Sequence, residues 1–155
     1  MLVFTFSEDV QSRLDGAIKA ASDFTVPMTA VADYLRTAAV DRFDDETAPD
    51  GSLWEPSDRA LEDGGLTLTK SGMLRQSITA DSDNRSAVAG TNLIYAAIHN
   101  FGGTILARPG SALRTPFGPR ASVSMPKREF LGFAPEDVTE IEALLMDHLE
   151  QGFAA

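Results

Sequence analysis

The residues able to carry chemistry are few in this sequence. It contains no cysteine, which excludes thiol nucleophiles, zinc–thiolate sites and disulfides. Its two histidines, His99 and His148, are too few for a histidine metal cluster. A general base at His99 would need a nucleophile, and Ser71 lies outside the Gly-x-Ser-x-Gly pattern that presents one. We therefore interpret His99 as a helix-end residue that binds loose carbonyls, His148 as solvated and Ser71 as an N-cap.

Clustered carboxylates could bind calcium or perform acid–base catalysis. The densest cluster lacks the EF-hand spacing and lies at the end of a predicted helix, where negative charge is unfavourable. It comprises Asp41, Asp44, Asp45 and Glu46. We interpret these acids as facing solvent or a neighbouring subunit. Neither the Gly-x-x-x-x-Gly-Lys-Ser/Thr loop nor a Gly-x-Gly-x-x-Gly turn after a strand occurs. The sequence thus predicts no catalytic residue, no cofactor and no metal, and a protein that is not an enzyme.

Charge is distributed unevenly along the chain. The formal net charge of -10 argues against free nucleic acid or an anionic membrane as the main partner. Residues 70–128, however, contain eight basic and two acidic residues, a net charge of +6. Residues 41–63 contain nine acidic and two basic residues, and the segment from 134 onwards contains six acidic residues and no Lys or Arg. Such a chain is suited to packing against copies of itself, although a solvated acidic helix beside a basic sheet explains the pattern equally well.

No stretch of the sequence has the features of a targeting or membrane-spanning segment. The N-terminus lacks the basic start and long apolar run of a signal peptide, and no later run has transmembrane length. We expect a soluble protein made in the cytoplasm, without a membrane partner.

Hydrophobic periodicity predicts helices at both ends of the chain. Residues 7–21 are predicted to form the first helix, with Ser7 as its N-cap. Its apolar stripe comprises Val10, Leu14, Ile18 and Ala21. A second helix is predicted at 27–45, forming a helical hairpin with the first, and a C-terminal helix is predicted at 135–151.

The middle of the chain predicts short strands joined by turns. Pro49-Asp50-Gly51 predicts a turn, and Trp54 just beyond it is interpreted as an anchor that pins this segment to the core. A short helix at 72–77 precedes a predicted β-hairpin at 78–90, and a helix at 93–99 ends at Gly102 and Gly103. Strands are predicted at 104–107 and 122–125. This order predicts an α+β fold in a single domain, 1–155, with a small antiparallel β-sheet flanked by the N-terminal helical hairpin and the C-terminal helix.

Residues 108–121 have a different composition from the rest of the chain. They contain three prolines, three arginines and no acidic residue. We expect these prolines and the internal glycines to prevent regular structure, which leaves a long mobile loop. The arginines have no acidic partner within the loop, so we expect them to contact a neighbouring protein. The candidate contact residues are Arg108, Arg114, Arg120 and the nearby Lys127.

An ordered series of motifs between residues 49 and 132 resembles the phage virion morphogenesis, or tail-completion, proteins of contractile-tailed phages. In chain order the motifs are Pro49-Asp50-Gly51, Trp54-x-Pro56, Leu66, Lys70-Ser71-Gly72-x-Leu74-x-x-Ser77-Ile78, Val88-x-Gly90-Thr91-Asn92, Tyr95-Ala96-x-x-His99-x-Phe101-Gly102-Gly103 and Pro126-x-Arg128-x-Phe130-Leu131-Gly132. Outside these motifs, the helices predicted at the two ends of the chain agree with the family only in the type of secondary structure. The sequence departs from the family at Lys127-Arg128-Glu129 and in its strong acidity.

The resemblance implies a structural virion protein with a neck-protein or tail-terminator-like fold. Such a protein assembles as a homo-oligomeric ring at the head–tail junction of the virion, and a hexamer is favoured. Its implied partners are other neck, head-connector or tail-terminator proteins, with DNA at most passing through the ring lumen. No catalytic residues come with the resemblance.

The matched residues are expected to serve the architecture. We expect Gly72 to lie at a helix start, and Gly90, Gly102 and Gly103 to provide backbone freedom. Tyr95 and Phe101 are expected to provide buried area, and Arg128 beside Phe130 to hold a chain reversal by binding carbonyls or a carboxylate. Two alternatives remain open: a nucleic-acid-binding module that uses the basic region 70–128, and a small hydrolase centred on His99.

Overall fold

A computed structural model describes Thr5, residues 7–115 and residues 118–154. The helices are α1 (Glu8–Ser22), α2 (Thr25–Asp45), α3 (Asp58–Asp63), α4 (Met73–Gln76), α5 (Ala96–Phe101) and α6 (Pro135–Ala154). The strands are β1 (Thr79–Ser82), β2 (Ala87–Gly90), β3 (Gly103–Leu106), β4 (Leu113–Thr115), β5 (Gly118–Arg120) and β6 (Ser122–Met125). These elements confirm the predicted α+β class.

The strands form three separate antiparallel pairs instead of one small sheet. The pairs are β1 with β2, β3 with β6, and β4 with β5. Each strand has only three or four residues, which limits the surface over which further strands could pair. The predicted hairpin after α4 is confirmed, with its turn at Asp83. The Asp83 carboxylate accepts hydrogen bonds from the backbone N–H groups of Arg85 and Ser86, which lower its pKa.

The described residues divide into two compact units. The helical unit contains the residues up to 37, residues 80–89 and those from 135 onwards, and the mixed unit contains residues 38–79 and 90–134. The expectation of a single domain stays a prediction.

In the helical unit, α1 packs along α6 through small residues. The Ser7 hydroxyl accepts a hydrogen bond from the Val10 N–H at 3.4 Å, which confirms the predicted N-cap. A Cβ added to Gly152 of α6 would lie 2.5 Å from the Cβ of Ala20, so the two helices approach closely there. Ala20 is the buried residue of α1. The apolar stripe that predicted this helix is exposed instead, because the small residues permit the closer packing.

His148 holds the C-terminal end of α1. Its Nε2 lies 3.1 Å from the Ala20 carbonyl oxygen and 2.9 Å from that of Asp23, and its ring packs on Phe24. Carbonyls at a helix end lack intrahelical partners, so the Nε2–H donates to them. The prediction that His148 is merely solvated was therefore wrong.

The mixed unit is built around an aromatic cluster. Phe43 of α2 is fully buried and contacts Trp54 edge-to-face at 5.4 Å and Phe130 at 5.1 Å between ring centroids. The Trp54 indole N–H donates to the Glu129 carbonyl oxygen at 3.0 Å. Trp54 is thus the predicted anchor, with an apolar body in the core and a satisfied polar edge.

Four glycines of the motifs, Gly51, Gly72, Gly102 and Gly103, have backbone conformations that side chains rarely adopt. Gly72 precedes α4 with φ of 69°, and Ser71 is therefore not the N-cap, although its hydroxyl accepts from the Met73 N–H at 3.4 Å. Gly102 ends α5 with φ of 68° and ψ of -179°, and a Cβ there would lie 2.8 Å from the Lys127 backbone nitrogen. The backbone freedom expected of Gly102 is confirmed. Gly90 has open space around it and no positive φ, so it does not need to be glycine.

The predicted burial of Tyr95 and Phe101 was wrong. Tyr95 is 42% exposed and Phe101 is 70% exposed. The short helix α5 instead buries Ala96 and Asn100, which are four residues apart on one face. Tyr95 and Phe101 lie one position away from that face, and Tyr95 packs edge-to-face on His99.

Replacement of Trp54 by Ala is expected to lower the free energy of unfolding by about 3 to 5 kcal/mol, because it empties a buried aromatic site. Denaturant unfolding measures this change. Leu53→Ala is the matched control, since Leu53 is 79% exposed and its loss should cost within about 0.5 kcal/mol. Equal effects of the two substitutions would contradict the anchor role.

Candidate assembly surfaces

The segment 128–132 is held in the mixed unit by buried polar side chains. The Asn100 side-chain oxygen accepts from the N–H groups of Phe130 and Leu131 at 3.0 and 2.9 Å. Arg42 donates from Nη1 to the carbonyl oxygens of Phe130 and Gly132 at 3.1 and 2.9 Å. Both Asn100 and Arg42 are buried. We call these residues and the bonded segment 128–132 the clamp.

Arg128, the first residue of the clamp segment, is bonded to two other parts of the mixed unit. Its backbone N–H donates to the His99 carbonyl oxygen at 2.8 Å, and its Nε–H donates to the Glu55 carbonyl oxygen at 2.7 Å. The carbonyl binding predicted for Arg128 is confirmed. Arg42 and Asn100 were missed by the sequence analysis, although Arg42 directly precedes the buried Phe43 on the helical pattern of α2.

Residues 103–115 and 118–125 form a narrow antiparallel arm, which we call the β-arm. Strand β3 pairs with β6, from Gly103 opposite Met125 to Leu106 opposite Ser122. The Ala107 N–H continues this pairing by donating to the Ala121 carbonyl oxygen at 2.8 Å. Beyond it, β4 and β5 form a small hairpin. The β-arm begins directly after α5 and ends directly before the clamp.

The prediction that residues 108–121 lack regular structure was wrong. Leu113–Thr115 and Gly118–Arg120 are strands, and Pro119 lies opposite Arg114 in their pairing. A proline is tolerated there because each strand of a two-stranded ribbon is an edge strand, so its missing N–H need not break a ladder. The mobility of this segment stays a prediction.

The candidate contact arginines are exposed on the β-arm but do not form one patch. Arg108, Arg114 and Arg120 have no ion pair or side-chain hydrogen bond within the described residues. Arg120 lies opposite Leu113, and Arg114 lies opposite Pro119. Since neighbouring strand residues face opposite sides, Arg114 and Arg120 lie on opposite faces of the hairpin. The tip is therefore cationic on both faces.

Lys127 differs from the three arginines. It forms an ion pair with Glu129 at 2.5 Å, and the hydrogen bond to that carboxylate raises the Lys127 pKa. Arg75 is likewise paired, with Asp44, and Arg128 is buried in the clamp. Three of the eight basic residues of the region 70–128 are therefore engaged within the chain.

A cavity of about 280 Å³ lies in the mixed unit beside the clamp. Its polar lining comprises Ser57, Arg59, Lys70, Ser71, His99 and Arg128, and its apolar lining comprises Leu68, Leu74, Tyr95 and Met125. No acidic residue lines it. Leu68 has φ of 60°, which for a leucine is strained backbone.

The charged groups at the cavity are partly desolvated. Burial holds the pKa of the His99 imidazole below its usual value, and the positive charge of Arg128 lowers it further. Burial also lowers the pKa of Arg128, an effect that the carboxylates of Glu55, Asp58 and Glu46 oppose. The Nδ1 atom of His99 is buried and has no hydrogen-bond partner among the described residues.

A family model described as the phage virion morphogenesis family matches residues 7–150. The chain belongs to the phage virion morphogenesis family. It is also similar to the Mu-like prophage FluMu G protein 2 of Haemophilus influenzae, with 26% identity over 144 residues that cover 93% of this chain and 91% of that protein. No solved structure matches the chain.

Family membership makes this chain a structural protein of the phage virion. The match reaches from the cap of α1 into α6, well beyond the motifs at 49–132 that carried the resemblance. Across Thr5, 7–115 and 118–154, no helix is long and apolar enough to cross a membrane. The same described residues contain no cluster of three or more potential metal ligands.

Asn100→Ala is expected to destabilise this virion morphogenesis protein by about 2 to 4 kcal/mol, because two buried backbone N–H groups lose their acceptor. Thermal or denaturant unfolding measures the loss. Asn92→Ala is the matched control, since Asn92 is exposed and should be replaceable within about 0.5 kcal/mol. A stable Asn100→Ala variant would show that the clamp does not depend on this side chain.

The lowered pKa of His99 predicts sensitivity to acid. In the unfolded chain the histidine returns to its ordinary pKa, 6.5, so the unfolded state binds the proton more tightly. The free energy of unfolding should therefore fall as the pH drops below that value, and His99→Gln should lose this part of the dependence. Titration of the His99 ring in the folded protein by NMR checks that its pKa is lowered. A titration midpoint at or above 6.5 would contradict the lowered pKa.

Proposed function

We propose that this protein assembles as a homo-oligomeric ring, with six copies favoured, at the head–tail junction of the virion, where it completes or joins head and tail. The β-arm carries the proposal. The chain is fixed where it enters the β-arm, by α5, and where it leaves the β-arm, by the clamp. Between these points the strands of the β-arm pack mainly on one another. An arm of this kind is suited to reach a neighbouring subunit.

An isolated two-stranded ribbon is marginally stable in water. All the residues of β3 are exposed, and among them Ile105 and Leu106 are apolar. Contact with a neighbour would bury this surface and pair the free strand edges. The arm therefore gains more from assembly than a packed surface element would.

The acidic regions of the chain complement the cationic tip of the β-arm. Exposed carboxylates on α6 are Glu136, Glu140, Glu142, Asp147 and Glu150, and residues 134–155 contain no Lys or Arg. A basic arm on one copy facing an acidic surface on the next is a head-to-tail contact, and such contacts generate rings when the rotation closes. The number of copies follows from the family resemblance alone.

Exposed apolar side chains support association as well. Ile94 is almost fully exposed, and Val26, Leu53, Leu61 and Leu106 are each more than two-thirds exposed. Single exposed apolar residues are ordinary, but this number of large ones favours burial in an assembly. The partners we propose beyond further copies are neck, head-connector or tail-terminator proteins, with DNA at most in the lumen.

The chain is proposed to act without catalysis. The His99 imidazole packs against Tyr95, and the positive charge of Arg128 lowers its pKa. The backbone carbonyl of His99 accepts the hydrogen bond from the Arg128 N–H. A structural role therefore explains the position of His99. The alternative of a nucleic-acid-binding module receives less support, because Arg75, Lys127 and Arg128 are engaged within the chain.

Changing Arg108, Arg114 and Arg120 together to Ser should impair self-association and the completion of infectious particles, while the melting temperature of the subunit stays nearly unchanged. Each exposed pair contributes only about 0 to 1 kcal/mol, so the arginines must act together and their effect should weaken with salt. Sedimentation at low and high salt, with particle complementation, measures this.

The matched control changes three exposed arginines outside the β-arm, Arg13, Arg36 and Arg85, to Ser, which alters the net charge equally. This control should assemble normally. Normal assembly of the arm variant, or equal failure of both variants, would contradict the role of the β-arm.

A further inference from the structure

The cavity in the mixed unit contains more hydrogen-bond donors than its own residues use. The hydroxyls of Ser57 and Ser71 accept from the backbone N–H groups of Ala60 and Met73, and neither hydroxyl proton has an acceptor within the described residues. The Lys70 ammonium likewise has no ion pair or hydrogen bond in the described part of the chain. A group that occupied the cavity would therefore need several acceptor oxygens.

The positive charge of the cavity lining determines the charge that a bound group should have. Arg59, Lys70 and Arg128 line the cavity, and no carboxylate does. Arg59 and Arg128 each use one N–H on a backbone carbonyl, of Leu66 and Glu55 respectively, which fixes them in place and leaves their other donors available. Fixed cations and free hydroxyls together favour an anion.

The apolar part of the lining distinguishes an acidic side chain from a bare inorganic anion. Leu68, Leu74 and Met125 provide a surface on which methylene groups could pack. Aspartate and glutamate combine a carboxylate with such a stem, whereas a phosphate has no apolar part. The strained backbone at Leu68 lies in this same lining, as strain often does at binding sites.

We propose that this cavity binds an acidic side chain that α6 of a second copy of the chain presents. Charge complementarity identifies the occupant. Five carboxylates of α6 are exposed, and they lie in a segment without a single Lys or Arg. In the acidic segment 41–63, by contrast, Asp44 is paired with Arg75 and Glu46 accepts a hydrogen bond from the Thr67 N–H. This inference rests on the proposed self-assembly and names one of its contacts.

Zero-length carbodiimide coupling tests this contact directly, because it joins an ammonium to a carboxylate only when they touch. The chain has three lysines, Lys19, Lys70 and Lys127. Coupling in an equal mixture of unlabelled and ¹⁵N-labelled chains, followed by peptide mass spectrometry, should join Lys70 to an acid of residues 136–150 in a differently labelled chain. Lys127 joined to Glu129 of its own chain is the internal control, given their ion pair.

Substitutions separate the contact from a general charge effect. Lys70→Gln should weaken self-association about tenfold or more, the usual loss for a close intermolecular charge pair. Lys70→Arg should retain association yet remove the crosslink, and Lys19→Gln should change neither. Weakening by Lys19→Gln to the same extent would overturn the proposal.

The remaining outcomes each decide the question. A Lys70 link within one chain, a link to another virion protein, or an assembled ring without any Lys70 link would overturn the assigned occupant. If the chain does not self-associate, the proposed ring fails, and a synthetic peptide of residues 136–150 added to the full chain still tests the cavity by the same coupling. Displacement of that peptide by short duplex DNA would show a phosphate site and overturn the proposal.

Discussion

The mixed unit depends on one interaction, the capture of an irregular buried segment by side chains from elements distant in sequence. Residues 128–132 form neither helix nor strand, so their backbone groups have no ladder partners, and leaving them unpaired in the core would be costly. Arg42 of α2, Asn100 of α5 and Trp54 satisfy them. The same bonds hold the chain that follows β6. Because β3 starts just after α5, both ends of the β-arm are attached to elements that hold the clamp.

Sequence patterns predicted local structure well where a short-range cause determined it. The Ser7 cap and the Pro-Asp-Gly turn before Trp54 both depend on neighbouring residues, and both are found. Partners of polar atoms could not be predicted in this way. Nothing near Asn100 in sequence shows that it binds residues 30 positions away, and nothing near His148 shows that it reaches the end of α1.

The burial of apolar residues was predicted wrongly for a related reason. Tyr95 and Phe101 are large and lie in a matched motif, yet the short helix α5 has one buried face, which the small Ala96 and the amide Asn100 occupy. The stripe of α1 is exposed in the same way, because Gly152 permits the small face to pack more closely. Periodicity identifies a helix but does not by itself identify the face that packs, particularly when a protein keeps apolar surface for partners.

In the proposed assembly, the uneven charge of the chain and its exposed apolar residues would have different roles. A net charge of -10 makes two copies repel on average, so random encounters are disfavoured. In the proposed ring, an approach that brings a cationic surface of one copy, such as the β-arm, to an acidic surface of another would reverse the sign locally. Exposed ion pairs contribute little free energy, so they select orientation and speed encounter more than they stabilise the contact. Stabilisation must then come from burying apolar side chains such as Leu106, which lies on the same arm. Charge would orient the two copies, and buried apolar side chains would hold them together. Both effects favour a head-to-tail contact that repeats from copy to copy over a two-fold symmetric dimer.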